Sequence, residues 1–322
     1  MKPVLVSEVA KAFGARFEGE DFLLEGFAAL GLAGPSELSF WTSNSLEGEA
    51  RESKAGAVFV PQAFPWRLGR ARLFVDNPYA AMVRFLKEFH APTVALVEPK
   101  IAEGAKVHFS AVVEGSVGRG SVVGPNCVVM QGAEVGEACV LEANVTLYPG
   151  VRLARECVVQ AGAVLGPRGF GFYEDGGKRL PVPHFAGVEI GRGCSVGANT
   201  VIAAGFLSPT TIGSGTHIDA QVEIGHNCRL GNNVYLAAKC GLAGTTIIGN
   251  DVECGGGAQM AGHLKIGDGA KIAARAGVTR DVPAGKVYAG FPAQEISKWR
   301  LGVVALRRLA EGLRKKDSGE AP

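Results

Sequence analysis

Aliphatic residues recur at every sixth position through most of this chain. From Val117 the period runs without a break to Leu165, and it returns at Ile190. It slips once more at the segment 208–210, of sequence SPT, and then continues from Ile212 to position 278. Such a period matches neither the 3.6-residue repeat of a helix nor the two-residue alternation of a half-exposed strand.

The six-residue period predicts a left-handed parallel β-helix, so the fold class is expected to be mainly β. In this fold each coil has three flat faces of one hexapeptide, with the aliphatic residue pointing inward and small polar residues turning the corners. Residues three hexapeptides apart then lie one above the other, at the roughly 4.8 Å spacing of adjacent strands. A β-sandwich would instead show irregular strand lengths with turns every 8 to 12 residues or so.

The period is absent from both ends of the chain. Residues 1–98 mix a helical pattern with strand-like runs and predict a separate α/β domain. The β-helix is expected over residues 99–288, and a helical extension over residues 289–322. Apolar residues in the extension are spaced four and three apart, as in the seam of a coiled coil. A solenoid that is open on one side commonly needs a partner chain to cover that side. Together with the coiled-coil seam, this favours a closed homotrimer.

Composition narrows the function further. The net charge is only +2, which gives no general argument for nucleic-acid binding. The chain has no apolar stretch long enough to span a membrane and no signal-peptide pattern, so a cytoplasmic protein is expected. Six of the seven cysteines stand four residues after an aliphatic position, where neighbouring hexapeptides carry other small residues. They are predicted to fill the core, and neither a disulfide framework nor a zinc site is expected.

Departures from the hexapeptide pattern mark candidate chemistry, and His226 is the first of them. It stands two residues after Ile224, at a corner, where a solvated histidine is an equally good interpretation. Asp219, seven residues upstream, could orient the imidazole and stabilise its cation. Gly244, 18 residues downstream, is predicted to lie one coil away with its backbone N–H free to meet an oxyanion. His263, 37 residues after His226, falls on nearly the same edge.

Together these four residues predict a site for acyl transfer from a thioester. His226 would take the proton from an attacking amine or hydroxyl group, and Gly244 would hold the charge of the tetrahedral intermediate. Metal binding by His226 and His263 is the rival interpretation. It is disfavoured because no third ligand falls at the same edge, so neither a metal nor another resident cofactor is expected.

Five segments resemble those of UDP-3-O-acylglucosamine N-acyltransferases, and they occur in the same order. They are residues 141–151, 165–191, 217–227, 260–268 and 288–292. The most specific feature is the loop at residues 168–187, which contains Phe170 and Phe172 and interrupts the coils behind an α/β domain. The resemblance covers nearly the whole chain. It implies that His226 is the general base, Asp219 its partner, Gly244 the oxyanion donor and His263 an assistant at the thioester.

The resemblance also implies that residues 1–98 form a nucleotide-binding-like domain, and it indicates where the substrates bind. In the family an aromatic residue, an Asn and a Tyr spaced three apart hold the uracil ring, whereas this chain keeps Phe40 but has Ser43 and Leu46 at the other two positions. Phe40 and Trp41 as plain core residues are the alternative interpretation. The residues predicted to bind substrate are Phe40, Trp41, Asn44, Phe170 and Phe172.

The implied reaction moves a (3-hydroxy)acyl chain from acyl carrier protein to the 2-amino group of UDP-3-O-acylglucosamine, in lipid A synthesis. Acyl carrier protein is acidic and would dock on basic residues near the C-terminus, for which Arg307 and Arg308 are the candidates; a solvated helix face is the alternative. The same chemistry on another amino sugar, and a catalytically idle scaffold, are the competing functions.

Overall fold

Our computed structural model describes residues 2–42, 47–90, 98–290 and 296–318. The N-terminal part is built on a mixed five-stranded sheet of order β2-β7-β6-β5-β4, in which only the β2–β7 pair is antiparallel. A two-stranded antiparallel pair, β1 and β3, stands beside it. The strands are β1 Val4–Leu5, β2 Arg16–Gly19, β3 Leu23–Leu24, β4 Gly26–Phe27, β5 Glu37–Phe40, β6 Ala57–Pro61 and β7 Ala71–Val75.

Three helices accompany this sheet: α1 (Val6–Phe13), α2 (Glu47–Glu52) and α3 (Pro78–Phe85), which continues as a π-helical turn over Leu86–His90. Helix α3 begins where the sequence dictates, because the side chain of Asn77 accepts a hydrogen bond from the backbone N–H of Ala80 and proline occupies the first turn. Buried aliphatic and aromatic side chains from the sheet and from α1 and α3 form one core, which is called the N-terminal core below.

From Lys100 onward the chain forms short strands of two to four residues. They are β8 Lys100–Ile101, β9 Lys106–Val107, β10 Val112–Val113, β11 Ser116–Val117, β12 Val122–Val123, β13 Val128–Val129, β14 Glu134–Val135, β15 Val140–Leu141, β16 Thr146–Leu147, β17 Val151–Leu153, β18 Val158–Val159, β19 Val164–Leu165, β20 Phe172–Asp175, β21 Lys178–Pro181, β22 Val188–Ile190, β23 Ser195–Val196, β24 Val201–Ile202, β25 Thr210–Ile212, β26 His217–Ile218, β27 Glu223–Ile224, β28 Arg229–Leu230, β29 Tyr235–Leu236, β30 Gly241–Leu242, β31 Ile247–Ile248, β32 Glu253–Cys254, β33 Gln259–Met260, β34 Lys265–Ile266, β35 Lys271–Ile272, β36 Gly277–Val278 and β37 Val287–Tyr288.

Apart from the hairpin β20–β21, these strands stack into three parallel ladders that form the faces of a β-helix. The first face runs from β8 to β34, the second from β9 to β37 and the third from β10 to β36. From Val117 to Val278 each hexapeptide buries its inward-pointing residue; Val117, Leu165 and Ile224, for example, are at most 1% exposed. All seven cysteines are buried and unbridged in the same interior. The predicted fold class is therefore confirmed.

The corners explain the polar residues of the repeat. Among the described residues, thirteen other than glycine have a positive φ, and five of them are asparagines. Asparagine tolerates this left-handed conformation better than most residues because its short side chain can hydrogen-bond locally. The sequence period and the corner chemistry thus specify the same backbone.

Residues 166–187 leave the coil between β19 and β22 and form the antiparallel hairpin β20–β21. This insertion packs against the N-terminal core: Val182 is 3% exposed and belongs to that core, and the side chain of Asn77 donates to the carbonyl of Glu174. Phe206 and Leu207, from the second interruption of the period, pack against the same core. Both interruptions thus join the β-helix to the N-terminal part.

Helix α4 (Ile296–Ser318) follows the β-helix. The predicted seam consists of Trp299, Val303, Leu306, Ala310 and Leu313. Of the seam side chains that the structure describes, Leu306 is 68% exposed, Ala310 is exposed and Val303 is partly buried, so the seam is not fully covered within one chain. The homotrimer, like the domain boundaries at residues 98 and 288, stays a prediction. Among the helices of the described residues, none combines the length and the hydropathy that a membrane span requires.

Candidate active site

His226 occupies the corner that follows β27, between the third and first faces. Its side chain is half-buried, and its backbone carbonyl accepts a hydrogen bond from Thr245 at the same corner of the next coil. The imidazole lies against Gly244: its Nε2 and Cε1 atoms are 2.7 and 2.8 Å from the position that a Cβ atom would take at that glycine. The separation of 18 residues therefore does place the two residues one above the other, and a residue with a side chain would not fit there.

Two side chains contact the ring of His226. Its Nδ1 lies 3.1 Å from Oδ1 of Asn227. On its other side stands His184, with 4.8 Å between the ring centroids and 54° between the ring planes. Gly169 packs closely against both histidines, since a Cβ atom there would come within 2.6 Å of the Cβ of His226 and 3.0 Å of the Nε2 of His184. The inserted loop is thus folded closely over the corner.

His184 is held in its neutral form. Its Nδ1 donates to the carbonyl of Val182 at 3.1 Å. Burial lowers the pKa of His184 to about 4, and the neighbouring His226 and Arg168 act in the same direction, against the opposing effect of the Val182 carbonyl. At neutral pH the ring of His184 is therefore uncharged.

The two histidines stand where two cavities meet. One cavity, of about 570 Å³, lies over the third face and contains His226 and Gly244. The other, of about 710 Å³, lies over the first face and contains His184. Arg168 lines both. The first cavity, called the His226 cavity below, is also lined by Phe170, Glu223, Lys239, Gly241 and Gln259.

Asp219 does not contact His226 within the chain. It follows β26 at the corner between the second and third faces, and it lines a separate cavity of about 760 Å³ with His217 and Tyr235. Its two carboxylate oxygens accept the backbone N–H groups of Ala220 at 2.7 Å and Ala238 at 3.0 Å. The predicted pairing is wrong for a single chain, because a separation of seven residues moves a side chain to the next corner.

His263 lies at the corner predicted for it, two coils beyond His226. Its backbone N–H donates to the carbonyl of Gly244 at 3.1 Å, and its φ of 63° is left-handed. The side chain is exposed and makes no hydrogen bond or ring contact with any residue that the structure describes. Its assistance at a thioester therefore stays a prediction.

The residues predicted to bind substrate separate into two groups. Phe170 is 89% exposed, lines the His226 cavity and stands with Phe172 in an edge-to-face pair at 5.1 Å. Trp41 is only 4% exposed and packs between Phe64 and Trp66, so the prediction that its ring binds substrate is wrong.

Phe40 and Asn44 complete the predicted set. Phe40 stacks on Phe27 at 6.0 Å and meets the edge of Tyr79, contacts that agree with the alternative of a core residue. Asn44 lies outside the described residues. Arg307 and Arg308 are exposed on α4, as docking requires, but no described contact tests that role.

Sequence reasoning missed His184 and Asn227. Asn227 follows the candidate base directly, and its signal was the left-handed corner that the repeat requires there. His184 gave no such signal, because its position depends on how the insertion folds back over the coils.

Comparison with known proteins agrees with this architecture. The family model of UDP-3-O-(3-hydroxymyristoyl) glucosamine N-acyltransferase matches residues 21–88. A bacterial transferase hexapeptide model matches residues 209–244. A model of the hexapeptide repeat of succinyl-transferase matches residues 116–149 and 183–204. A solved UDP-N-acetylglucosamine acyltransferase shares 26% identity at a TM-score of 0.50, covering 59% of this chain and 71% of its own.

Curated relatives extend over almost the whole chain. The UDP-3-O-acylglucosamine N-acyltransferase of Delftia acidovorans is 37% identical over 95% of this chain and 92% of its own length. The enzyme of the same name from Campylobacter curvus is 40% identical over 88% of this chain and 92% of its own. A match over 95% of the chain includes the N-terminal part as well as the β-helix. The chain therefore belongs to the UDP-3-O-acylglucosamine N-acyltransferase family and is an acyltransferase.

Proposed function

We propose that this protein transfers a (3-hydroxy)acyl chain from acyl carrier protein to the 2-amino group of UDP-3-O-acylglucosamine, as a step of lipid A synthesis, with His226 as the general base. The observation that carries the proposal is the seating of the His226 imidazole on Gly244, with both residues lining one cavity. Membership of the family supports the substrate, since the relatives bear its name.

The geometry supports a simple course for the reaction. Nε2 of His226 takes a proton from the substrate amine as the nitrogen attacks the thioester carbonyl carbon. The backbone N–H of Gly244 has no hydrogen-bond acceptor within the described part of the chain, so it can donate to the oxyanion that forms. The C–S bond then breaks, and the proton on His226 passes to the leaving thiolate. No covalent enzyme intermediate is needed.

Replacing His226 by Ala or Gln tests the assignment. We expect turnover to fall on the order of 10²–10⁴-fold, as for the loss of a general base. The melting temperature should change little, because the ring is only half-buried at a corner. The product is measured by mass spectrometry with acyl carrier protein thioesters and a panel of UDP-amino sugars. His108→Ala, an exposed corner histidine of the first coils, is the matched control.

Two outcomes would overturn the proposal in different ways. Wild-type rates in His226→Ala with every accepted substrate would remove the general base. A wild-type preference for another amino sugar would retain the base but replace the substrate.

Acyl carrier protein docking on Arg307 and Arg308 is part of the same proposal, as is a homotrimer in which the exposed apolar residues of α4 pack together. Both arginines project from α4 into solvent. Three copies of the helix in a trimer would concentrate positive charge toward an acidic carrier.

A further inference from the structure

The side-chain amide of Asn227 has only one possible orientation. Its Oδ1 accepts the backbone N–H of Phe206 at 3.0 Å, and its Nδ2 donates to the backbone carbonyl of Ser208 at 3.0 Å. A backbone N–H can only donate and a carbonyl can only accept. The oxygen and the nitrogen of this amide are therefore assigned by their partners, not by an arbitrary choice between two flips.

This orientation determines where His226 carries its proton. The atom of Asn227 that faces His226 Nδ1, at 3.1 Å, is the acceptor Oδ1. Nδ1 must then be the donor, and a neutral imidazole has only one N–H. Its lone pair is consequently on Nε2, the atom that lies against Gly244 in the His226 cavity.

We propose that Asn227 is a positioning residue that fixes the base-competent tautomer of His226, taking the place that the sequence suggested for Asp219. This inference rests on the proposed function of His226 as the general base. It also explains the second interruption of the hexapeptide period, because the two groups that orient the amide, the N–H of Phe206 and the carbonyl of Ser208, belong to it.

The turn at residues 205–209 is built for this task. A Cβ atom at Gly205 would lie 1.8 Å from the carbonyl oxygen of Ser208, so only glycine permits a turn this tight. The hydroxyl of Thr210, which is fully buried, accepts the backbone N–H of Asn227 at 2.9 Å and donates to the carbonyl of Ala203. Backbone and side chain of Asn227 are thus both held.

The same turn is anchored outside the β-helix. Phe206 and Leu207 pack against the N-terminal core, and so does Val182, whose carbonyl holds the Nδ1 proton of His184. Both rings of the histidine pair are therefore fixed by segments that rest on the N-terminal part. The charged and titratable groups around His226 are His184, which is neutral, and Arg168, Glu223 and Lys239 of the cavity wall.

The first test reads the tautomer directly. Solid-state 15N NMR of protein labelled with 15N-histidine distinguishes protonated from unprotonated ring nitrogens without a size limit, and His226→Gln assigns the signals. We expect the neutral imidazole of His226 in the wild-type enzyme to carry its proton on Nδ1. A proton on Nε2 in that state would overturn the proposal.

Asn227 has a left-handed φ of 60°, so its replacements must tolerate this backbone conformation. Asn227→Gly accepts that conformation and removes the acceptor, and we expect signals of the other tautomer together with a fall in kcat of roughly 10²-fold. Asn227→Asp retains an acceptor, so it should keep the Nδ1 proton and move the acid limb of the rate profile to higher pH. Unchanged tautomer and kcat in Asn227→Gly would refute the assignment.

Asn233→Gly is the matched control, since it makes the same change at another left-handed corner, with a φ of 53°, where the asparagine side chain donates to Asp251. It should leave the His226 signals and kcat unchanged. Because the tautomer is read in the resting enzyme, the result is separate from the proposed function: a catalytically dispensable His226 would refute that function while the tautomer signal stands.

Discussion

Nε2 of His226 lies 2.7 Å from the place that a Cβ atom would take at Gly244, closer than two such atoms can approach. In Gly244→Ala the backbone of the stacked coils holds the new methyl group in place, so the imidazole must move. We predict a loss of about 10²-fold in kcat/KM, the scale of an ångström-sized misplacement, with little change in melting temperature.

The control for this variant is Gly277→Ala, in strand β36 of the third face, where an added Cβ atom meets nothing within 4 Å. It should keep wild-type activity. If Gly244→Ala were as active as the wild type, catalysis would not depend on the contact between the His226 imidazole and Gly244.

His184 makes stability depend on pH. Its pKa in the folded protein, about 4, is below the ordinary value of 6.5, mainly because of burial. Between these two values the unfolded chain binds a proton that the folded chain does not, so stability is lost as the pH falls from 6.5 toward 4. We predict that His184→Gln, which cannot titrate, has a smaller drop in melting temperature over this range than the wild type.

The carboxylates that also titrate in that range are common to both proteins, so the difference between the two slopes isolates His184. His108→Gln, at an exposed corner, should show the wild-type slope. Equal slopes for His184→Gln and the wild type would mean that the ring takes up protons freely in the folded state.

The buried cysteines should be slow to react. Burial raises the pKa of Cys228 to about 11 and that of Cys254 to about 12, so little of either thiol is ionised at neutral pH. Cys194 is the exception, since a hydrogen bond with Cys157 lowers its pKa. We predict that iodoacetamide labels the native protein slowly, with Cys194 first, and all seven thiols once denaturant is added. Peptide mass spectrometry measures labelling of each thiol in the native and in the denatured protein. Fast labelling of Cys228 in the native protein would contradict the packed core.

The repeat determined how much of this site the sequence could predict. Stacking at 18-residue intervals is a property of the backbone, so the meeting of His226 with Gly244 followed from the spacing alone. The same rule shows why Asp219 does not meet His226 within one chain, since a partner seven residues away lies at a different corner of the coil.

Contacts made by the two interruptions could not be predicted in this way. His184 reaches His226 only because Val182 is buried in the N-terminal core, and Asn227 is oriented only because residues 205–209 turn back on it. Both depend on packing between distant parts of the chain, for which a six-residue period contains no signal. Trp41 shows the converse: an aromatic residue beside Phe40 could bind a base or fill the core, and its packing with Phe64 and Trp66 decided for the core.

The last prediction concerns the acyl donor. Arg307 and Arg308 are exposed on α4, where long-range attraction of an acidic carrier protein would be strongest in a trimer. Replacing both by Glu should raise the KM for acyl carrier protein and flatten its dependence on salt, because salt screens such attraction. An acyl-pantetheine thioester, which lacks the carrier, should react as before.

Steady-state rates with the two donors at several salt concentrations check this, with size-exclusion chromatography to confirm that the assembly is unchanged. Equal loss with both donors, or a changed assembly, would show that these arginines hold the structure together instead of docking the carrier.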